Sequence, residues 1–306
     1  MKSLKRPCIF DWIKILNMQS RFTGLVFLIL LSSFQISIMA QDYKIFGHRG
    51  CRGVLPENTI IGFQKALEAG ADGIEWDIVV NKDNQLVISH EPYMDATYCL
   101  DSNGQEFNKS EQNNFNIFNM NQKEVESFDC GYKVNPKFPD QKLAHAVKPL
   151  LQDAFLQLDL SETTVLFEVK SDEKDYGVFQ PQPDAFAKLI FEEVKNFKYK
   201  DNLIYMCFDP NLLNELHKLM PDAKYVYLTY KPFKGIENHI NDIDFTPYAL
   251  GMYFRTIRKK GVKKAKELGV KTFAWTVNKT NDYDRMVRYN VAGIITDFPE
   301  KYVQLK

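Results

Sequence analysis

Short apolar runs alternate along this chain with stretches whose apolar residues recur every three or four positions. The runs at 43–46, 71–80, 86–90, 163–170, 203–208, 225–229, 248–254, 271–277 and 293–297 read as strands. Helical spacing fills 59–70, 183–197, 211–220, 257–268 and 281–289, and another helix opens near Pro149-Leu150-Leu151. Asn58 or Thr59 can cap the first of these helices, and Gly70 suits its C-terminus. Apolar strands alternating with helices predict a parallel sheet closed by helices. Only Asn81-Lys82-Asp83-Asn84-Gln85 separates 71–80 from 86–90, too short for a parallel crossover, so a hairpin is expected. With Asp83-Asn84 as its two-residue loop, Lys82 faces Gln85 and Asp77 faces His90.

Two stretches break this rhythm. Residues 1–40 run from Arg21 through the apolar Leu25–Leu31 into Ser32-Ser33 and on to Ala40, the order of a secretory signal peptide. Cleavage after Ala40 is expected. Met18 is a possible alternative start, and an uncleaved anchor is the competing reading, although the run is short for a span of about 20 apolar residues. Residues 92–148 are rich in Asn, Gln, Asp and Lys and form a long insertion, as lids and self-contained small units do.

Composition narrows the function. The 306 residues carry no net formal charge and no basic tract, which argues against a nucleic-acid partner. Removing 1–40 takes away five basic residues and one acid and leaves 34 basic and 38 acidic residues, a net of −4. The mature chain, 41–306, is thus expected to be soluble, with no stable membrane insertion. Four cysteines remain: Cys51, Cys99, Cys130 and Cys207. Export permits a disulfide, and Cys99 and Cys130 could pair; four free thiols is the alternative. Cys51 has no partner base of its own, which argues against a nucleophile.

The chemistry concentrates at strand ends. Gly47-His48-Arg49-Gly50 closes the first strand with a group that titrates near neutral pH and a forked cation suited to phosphate. Glu75 and Asp77 are two apart on a strand, so both leave one face; such oxygens suit Mg²⁺ or Ca²⁺. His90 follows, and Glu168 and Lys170 put the charged groups of strand 163–170 at its C-terminal end. His145 and His217 read as surface residues. Two histidines, two carboxylates and an arginine at strand ends suggest metal-assisted phosphoryl transfer with an acid and a base, and Glu168 and Lys170 would add a third acid and a second cation.

The set Gly47-His48-Arg49-Gly50, Pro56-Glu57-Asn58-Thr59, Gly70-Ala71-Asp72, Glu75-x-Asp77, His90 and Glu168-Val169-Lys170 resembles the glycerophosphodiester phosphodiesterases. Trp275-Thr276-Val277-Asn278 and Thr296-Asp297-Phe298-Pro299 extend the resemblance over nearly all of the mature chain. It implies a (β/α)₈ TIM barrel, whose C-terminal strand ends are the catalytic face. Nine strand candidates for eight staves leave one irregular or outside the barrel. The motifs around Phe128-Asp129-Cys130-Gly131 and Asn135-Pro136 resemble the insertion of exported members and imply a lid that helps select the leaving group. The resemblance further implies His48 and His90 as base and acid. One divalent cation, Ca²⁺ or Mg²⁺, would sit on Glu75, Asp77 and Glu168, with Arg49, Glu57, Lys170 and Trp275 around the substrate. A small glycerophosphodiester would yield sn-glycerol 3-phosphate and an alcohol in the periplasm or outside the cell. The chain departs from the family at Glu91, where Asp is usual. A phospholipase acting on intact lipids and a silent phosphodiester-binding barrel are the alternatives.

Overall fold

Strand β1 (Lys44–Gly47) lies between β2 (Gly73–Val80) and β9 (Gly293–Thr296), and those two contacts close a barrel. The structure, a computed structural model, describes residues 43–306; the expected signal peptide at 1–40 lies outside the described residues. The remaining staves are β4 (Thr164–Val169), β5 (Leu203–Cys207), β6 (Lys224–Thr229), β7 (Ala249–Tyr253) and β8 (Lys271–Trp275), all parallel to their neighbours. The ninth strand, β3 (Leu86–Ile88), pairs antiparallel with β2 and stands outside the eight. The fold is the expected (β/α)₈ barrel.

Helix α1 (Ile60–Glu68) starts where Thr59 Oγ1 accepts from Gly62 N at 3.1 Å, so Thr59 rather than Asn58 is the cap. Helix α3 (Leu151–Gln157) follows the insertion, whose own helix α2 is Gln122–Glu126. Helices at Pro183–Val194, Pro210–Leu219, Lys259–Glu267 and Thr280–Tyr289 match the expected ones to within three residues, and a short helix at Ile236–Ile240 was not foreseen.

Strand β2 is buried on both sides. Trp76 points outward, where it meets Phe63 of α1 and Phe155 of α3 edge-on or tilted, at 5.6 and 6.2 Å between ring centroids. The alternate residues Glu75 and Asp77 therefore point inward. Below them the barrel interior is filled by Phe46, Leu166, Ile204, Met206, Val226, Leu228, Ala249, Phe273 and Ile295.

The hairpin register differs from expectation by one residue. Val80 pairs with Leu86 and Ile78 with Ile88, and Ser89 N donates to Asp77 O at 2.9 Å, so Ser89 rather than His90 faces Asp77. The cause is the loop. Asn81 Oδ1 accepts from Asp83 N and Gln85 N, and Asn84 takes a left-handed φ of 59°. These bonds favour a three-residue loop over a two-residue one.

The insertion has its own core of Met94, Tyr98, Cys99, Ile117, Met120, Val125, Phe128 and Cys130, packed on Val79 and Val87. Cys99 and Cys130 form a disulfide spanning 31 residues. The pairing left open by the sequence is thereby settled.

Candidate active site

The turn after β1 brings the first group. Gly50 has φ 84° and lies against the backbone of Gly62, where a Cβ would come within 2.7 Å of a carbonyl carbon. That tight approach lets Arg49 N donate to Glu75 Oε2 at 2.6 Å and directs His48 into the barrel mouth. His48 Nδ1 meets Asp297 Oδ1 at 2.7 Å, and His48 Nε2 is 4.0 Å from Glu75 Oε2. Burial, with Arg52 beside it, pushes His48 down to about 4 against the pull of Asp297.

Strands β2 and β4 bring the acids. Asp77 pairs in register with Glu168, and Glu75 is two residues back on the same face. One oxygen from each of the three lies within 4.8 Å of the others. Burial, then Asp77 and Glu168, raise Glu75 well above the usual carboxylate range. Glu75 Oε1 and Asp77 Oδ1 are buried without a hydrogen bond among the described residues. Hard, crowded and unsatisfied oxygens are what a divalent cation would use, so the three residues fit one. Asn58 Nδ2 donates to Asp77 Oδ2 at 2.9 Å, which accounts for the left-handed φ of 55° at Asn58 as a position held by its side chain.

The cations stand around this group. Lys170 pairs with Glu168 and is 3.5 Å from Asp77 Oδ1; burial opposes its charge, but the two acids outweigh burial and keep it protonated. Arg49 Nη1 donates to Glu57 Oε1 at 2.6 Å, and its Nε is 3.3 Å from Asp77. Glu57, expected at the substrate, does not line the cavity; it grips Arg49 and, at 3.3 Å, Arg52.

His90 leaves the end of β3 with Nδ1 2.6 Å from Glu91 Oε1. Burial opposes ionisation of Glu91, yet His90, Arg49 and Lys148 hold its carboxyl well below the usual range. His48, Arg49, Glu75, His90, Glu168, Lys170 and Trp275 all line one cavity of about 570 Å³ at the C-terminal strand ends. A second cavity of about 670 Å³ shares His90, Lys170, Phe208 and Leu228 with it, so the cleft has two arms and His90 stands at their junction. The insertion contributes Lys137 to the first arm and Pro92 to the second.

The sequence assigned no role to Asp297 and Asn278, although both lie in motifs of the resemblance, and did not mark Arg52; the three meet at the end of β9, where Arg52 Nε donates to Asp297 Oδ1 and Asn278 Nδ2 donates to Asp297 Oδ2, both at 2.6 Å. The signal for Asp297 was present, a lone acid ending an apolar strand on the catalytic face. Cys51 is buried with its thiol on Glu300 at 3.3 Å and does not line the cavity, in keeping with no nucleophilic role. His145 is exposed, whereas His217 is half-buried and stacked on Phe245 at 4.0 Å.

A (β/α)₈ barrel with histidines, acids and cations gathered at its C-terminal mouth belongs to the enzymes of that fold. Which barrel enzymes is settled by comparison. The model of the glycerophosphoryl diester phosphodiesterase family matches residues 48–301, and the chain belongs to that family. A glycerophosphodiester phosphodiesterase of Caldanaerobacter subterraneus is 31% identical over 261 residues, 85% of this chain and 96% of that one. The crystal structure of a glycerophosphodiester phosphodiesterase from Thermotoga maritima superposes with a TM-score of 0.62 at 26% identity, covering 86% of this chain and 98% of that one. A phosphodiesterase of Oleispira antarctica, solved in complex with the product sn-glycerol-3-phosphate, has a TM-score of 0.69 at 19% identity and covers 85% and 95%.

Proposed function

We propose that this protein hydrolyses small glycerophosphodiesters to sn-glycerol 3-phosphate and an alcohol, with His48 as general base and His90 as general acid. The observation that carries the assignment is the junction position of His90. It stands between an arm holding His48 and Trp275 and an arm outside the barrel centre. The glycerol side fits the first arm, where the buried Trp275 Nε1 has no hydrogen-bond partner among the described residues, and the leaving alcohol fits the second. The product held by the Oleispira antarctica relative supports this substrate class.

Glu75, Asp77 and Glu168 would hold one divalent cation, Ca²⁺ or Mg²⁺, which supplies charge against the phosphate oxygens. Arg49 and Lys170 add fixed positive charge, with Glu57 keeping Arg49 in place. His48, its Nδ1 on Asp297, takes a proton at Nε2 from a glycerol hydroxyl. That oxygen bonds to phosphorus as the bond to the leaving oxygen breaks, and His90 protonates the departing alcohol. Water then opens the cyclic phosphate with the two histidines in exchanged roles.

The same reading extends to location. The segment 1–40 would direct export to the periplasm or beyond, and the Cys99–Cys130 disulfide supports an oxidising compartment. Sequencing the N-terminus of the mature protein tests cleavage after Ala40. No helix among the described residues is long and apolar enough to cross a membrane.

Alcohol release from glycerophosphocholine, with EDTA and then with Ca²⁺ or Mg²⁺ restored, tests the activity. Turnover of glycerophosphocholine that EDTA abolishes and metal restores is expected. Cleavage of phosphatidylcholine in its place would favour a phospholipase, and binding without turnover a silent barrel.

A further inference from the structure

We infer that Tyr98, from the insertion, is a positioning residue for His90, acting through Glu91. The inference rests on His90 being the general acid. Each oxygen of the Glu91 carboxylate has one partner: Oε1 meets His90 Nδ1 at 2.6 Å, and Oε2 accepts from Tyr98 OH at 2.8 Å. A carboxylate is planar, so fixing one oxygen aims the other. Tyr98 can hold it firmly because it is only 7% exposed, packed in the core of the insertion. Burial and the neighbouring Glu91 raise its hydroxyl well above 10, so it remains a donor.

The clamp has a chemical reason. The residue that follows His90 is Glu91, one methylene longer than aspartate and with one more rotatable bond. An unrestrained glutamate would let the imidazole swing, and ordering such a side chain costs rotamer entropy. Tyr98 meets that cost from a part of the fold already made rigid. The next residue, Cys99, is bridged to Cys130, and Tyr98 N and Cys99 N both donate to Asp95 O. The far end of the insertion acts on the same tripeptide. Lys148 Nζ donates to Ser89 Oγ at 2.7 Å, Ser89 Oγ donates to Glu91 O at 2.6 Å, and the ammonium stands 5.5 Å from the centre of the Tyr98 ring. The role of the insertion is then to fix the side chain that protonates the leaving group, besides any contact with substrate.

The test compares Tyr98→Phe, His90→Gln and the double variant on two substrates. One is glycerophosphocholine, whose alcohol needs a proton to leave. The other is the para-nitrophenyl ester of glycerol phosphate, whose leaving oxygen departs without one. Tyr98→Phe is expected to lower kcat on glycerophosphocholine about tenfold with little change in KM, the scale of removing a group that orients a functional histidine. On the nitrophenyl ester its loss should be well below that. His90→Gln should show the same contrast more strongly, and Tyr98→Phe should add nothing in that background. Equal losses on both substrates, or an unchanged kcat, would remove Tyr98 from this role while leaving the acid assignment intact. If His90→Gln itself spares glycerophosphocholine, the acid assignment fails first.

Discussion

A single oxygen of Asp297 accepts from His48 Nδ1 at 2.7 Å and from Arg52 Nε at 2.6 Å. The other oxygen accepts from Asn278 Nδ2. An ionised carboxylate only accepts, so His48 must carry its proton on Nδ1, and Nε2 is left free to take one from substrate. Asp297→Asn keeps the size but offers an amide that can donate to Nδ1, which would turn the ring to the wrong tautomer. Steady-state kinetics should show kcat lower by on the order of 10²–10⁴. The melting temperature should fall as well, because buried Arg52 loses a charged partner, so the rates are compared at a temperature where both proteins are folded.

Asp77 and Glu168 are register partners on adjacent parallel strands, with Glu75 beside them, and this crowding has a thermodynamic sign. A folded pKa raised above the ordinary 4.5 of Glu75 means that the native state keeps a proton the unfolded chain has released. Stability of the metal-free protein should therefore fall as pH rises from there. Protons and the proposed cation would compete for the same oxygens, so any stabilisation by added Ca²⁺ should be larger at pH 8 than at pH 5. Thermal melts with and without Ca²⁺ at the two pH values check this. Glu75→Gln should raise the melting temperature of the metal-free protein and weaken Ca²⁺ binding by about tenfold or more in a titration calorimeter.

Much of this arrangement was legible in the sequence because it depends on local periodicity. The two-residue spacing of Glu75 and Asp77 put them on one strand face, and the polar ending of 163–170 put Glu168 and Lys170 at the barrel mouth. What failed depended on side chains far apart in sequence or on loop geometry. The hairpin slipped by one residue because Asn81 folds its own side chain over the loop, a bond that hydropathy does not encode. The insertion reads as a polar stretch, yet Ile117, Met120, Val125 and Phe128 gather with the disulfide into a core that only tertiary contact reveals. Tyr98 had no local mark, since its partner Glu91 lies seven residues away across a turn.

The disulfide should matter more to the insertion than to the barrel. It joins two residues at a sequence separation of 31, and loop-closure entropy for that length is about 3–4 kcal/mol. The double variant Cys99→Ala and Cys130→Ala should expose the insertion to proteolysis while the barrel core persists. Limited proteolysis followed by mass spectrometry would show first cuts within 92–148 in the variant and none there in the parent. Activity on glycerophosphocholine should fall together with the insertion, because Tyr98 is the neighbour of Cys99.

Gly50 and Gly104 both have a positive φ, of 84° and 73°, and their different surroundings separate two costs. Alanine at position 104 meets nothing within 4 Å, so it carries only the backbone penalty, about 1–2 kcal/mol, on an exposed loop. Alanine at position 50 carries the same penalty and also brings Cβ to 2.7 Å from the carbonyl carbon of Gly62 and 2.9 Å from Phe63 N. Neither is a flexible side chain end, so the turn has to move. That turn holds Arg49 N on Glu75 Oε2 and aims His48 at the cavity. Gly104→Ala should thus lower the melting temperature modestly with kcat unchanged. Gly50→Ala should lower both, and kcat by more than about tenfold, since small misplacements of a catalytic group are costly. Equal kcat in the two variants would show that the backbone at 47–50 does not set the position of His48.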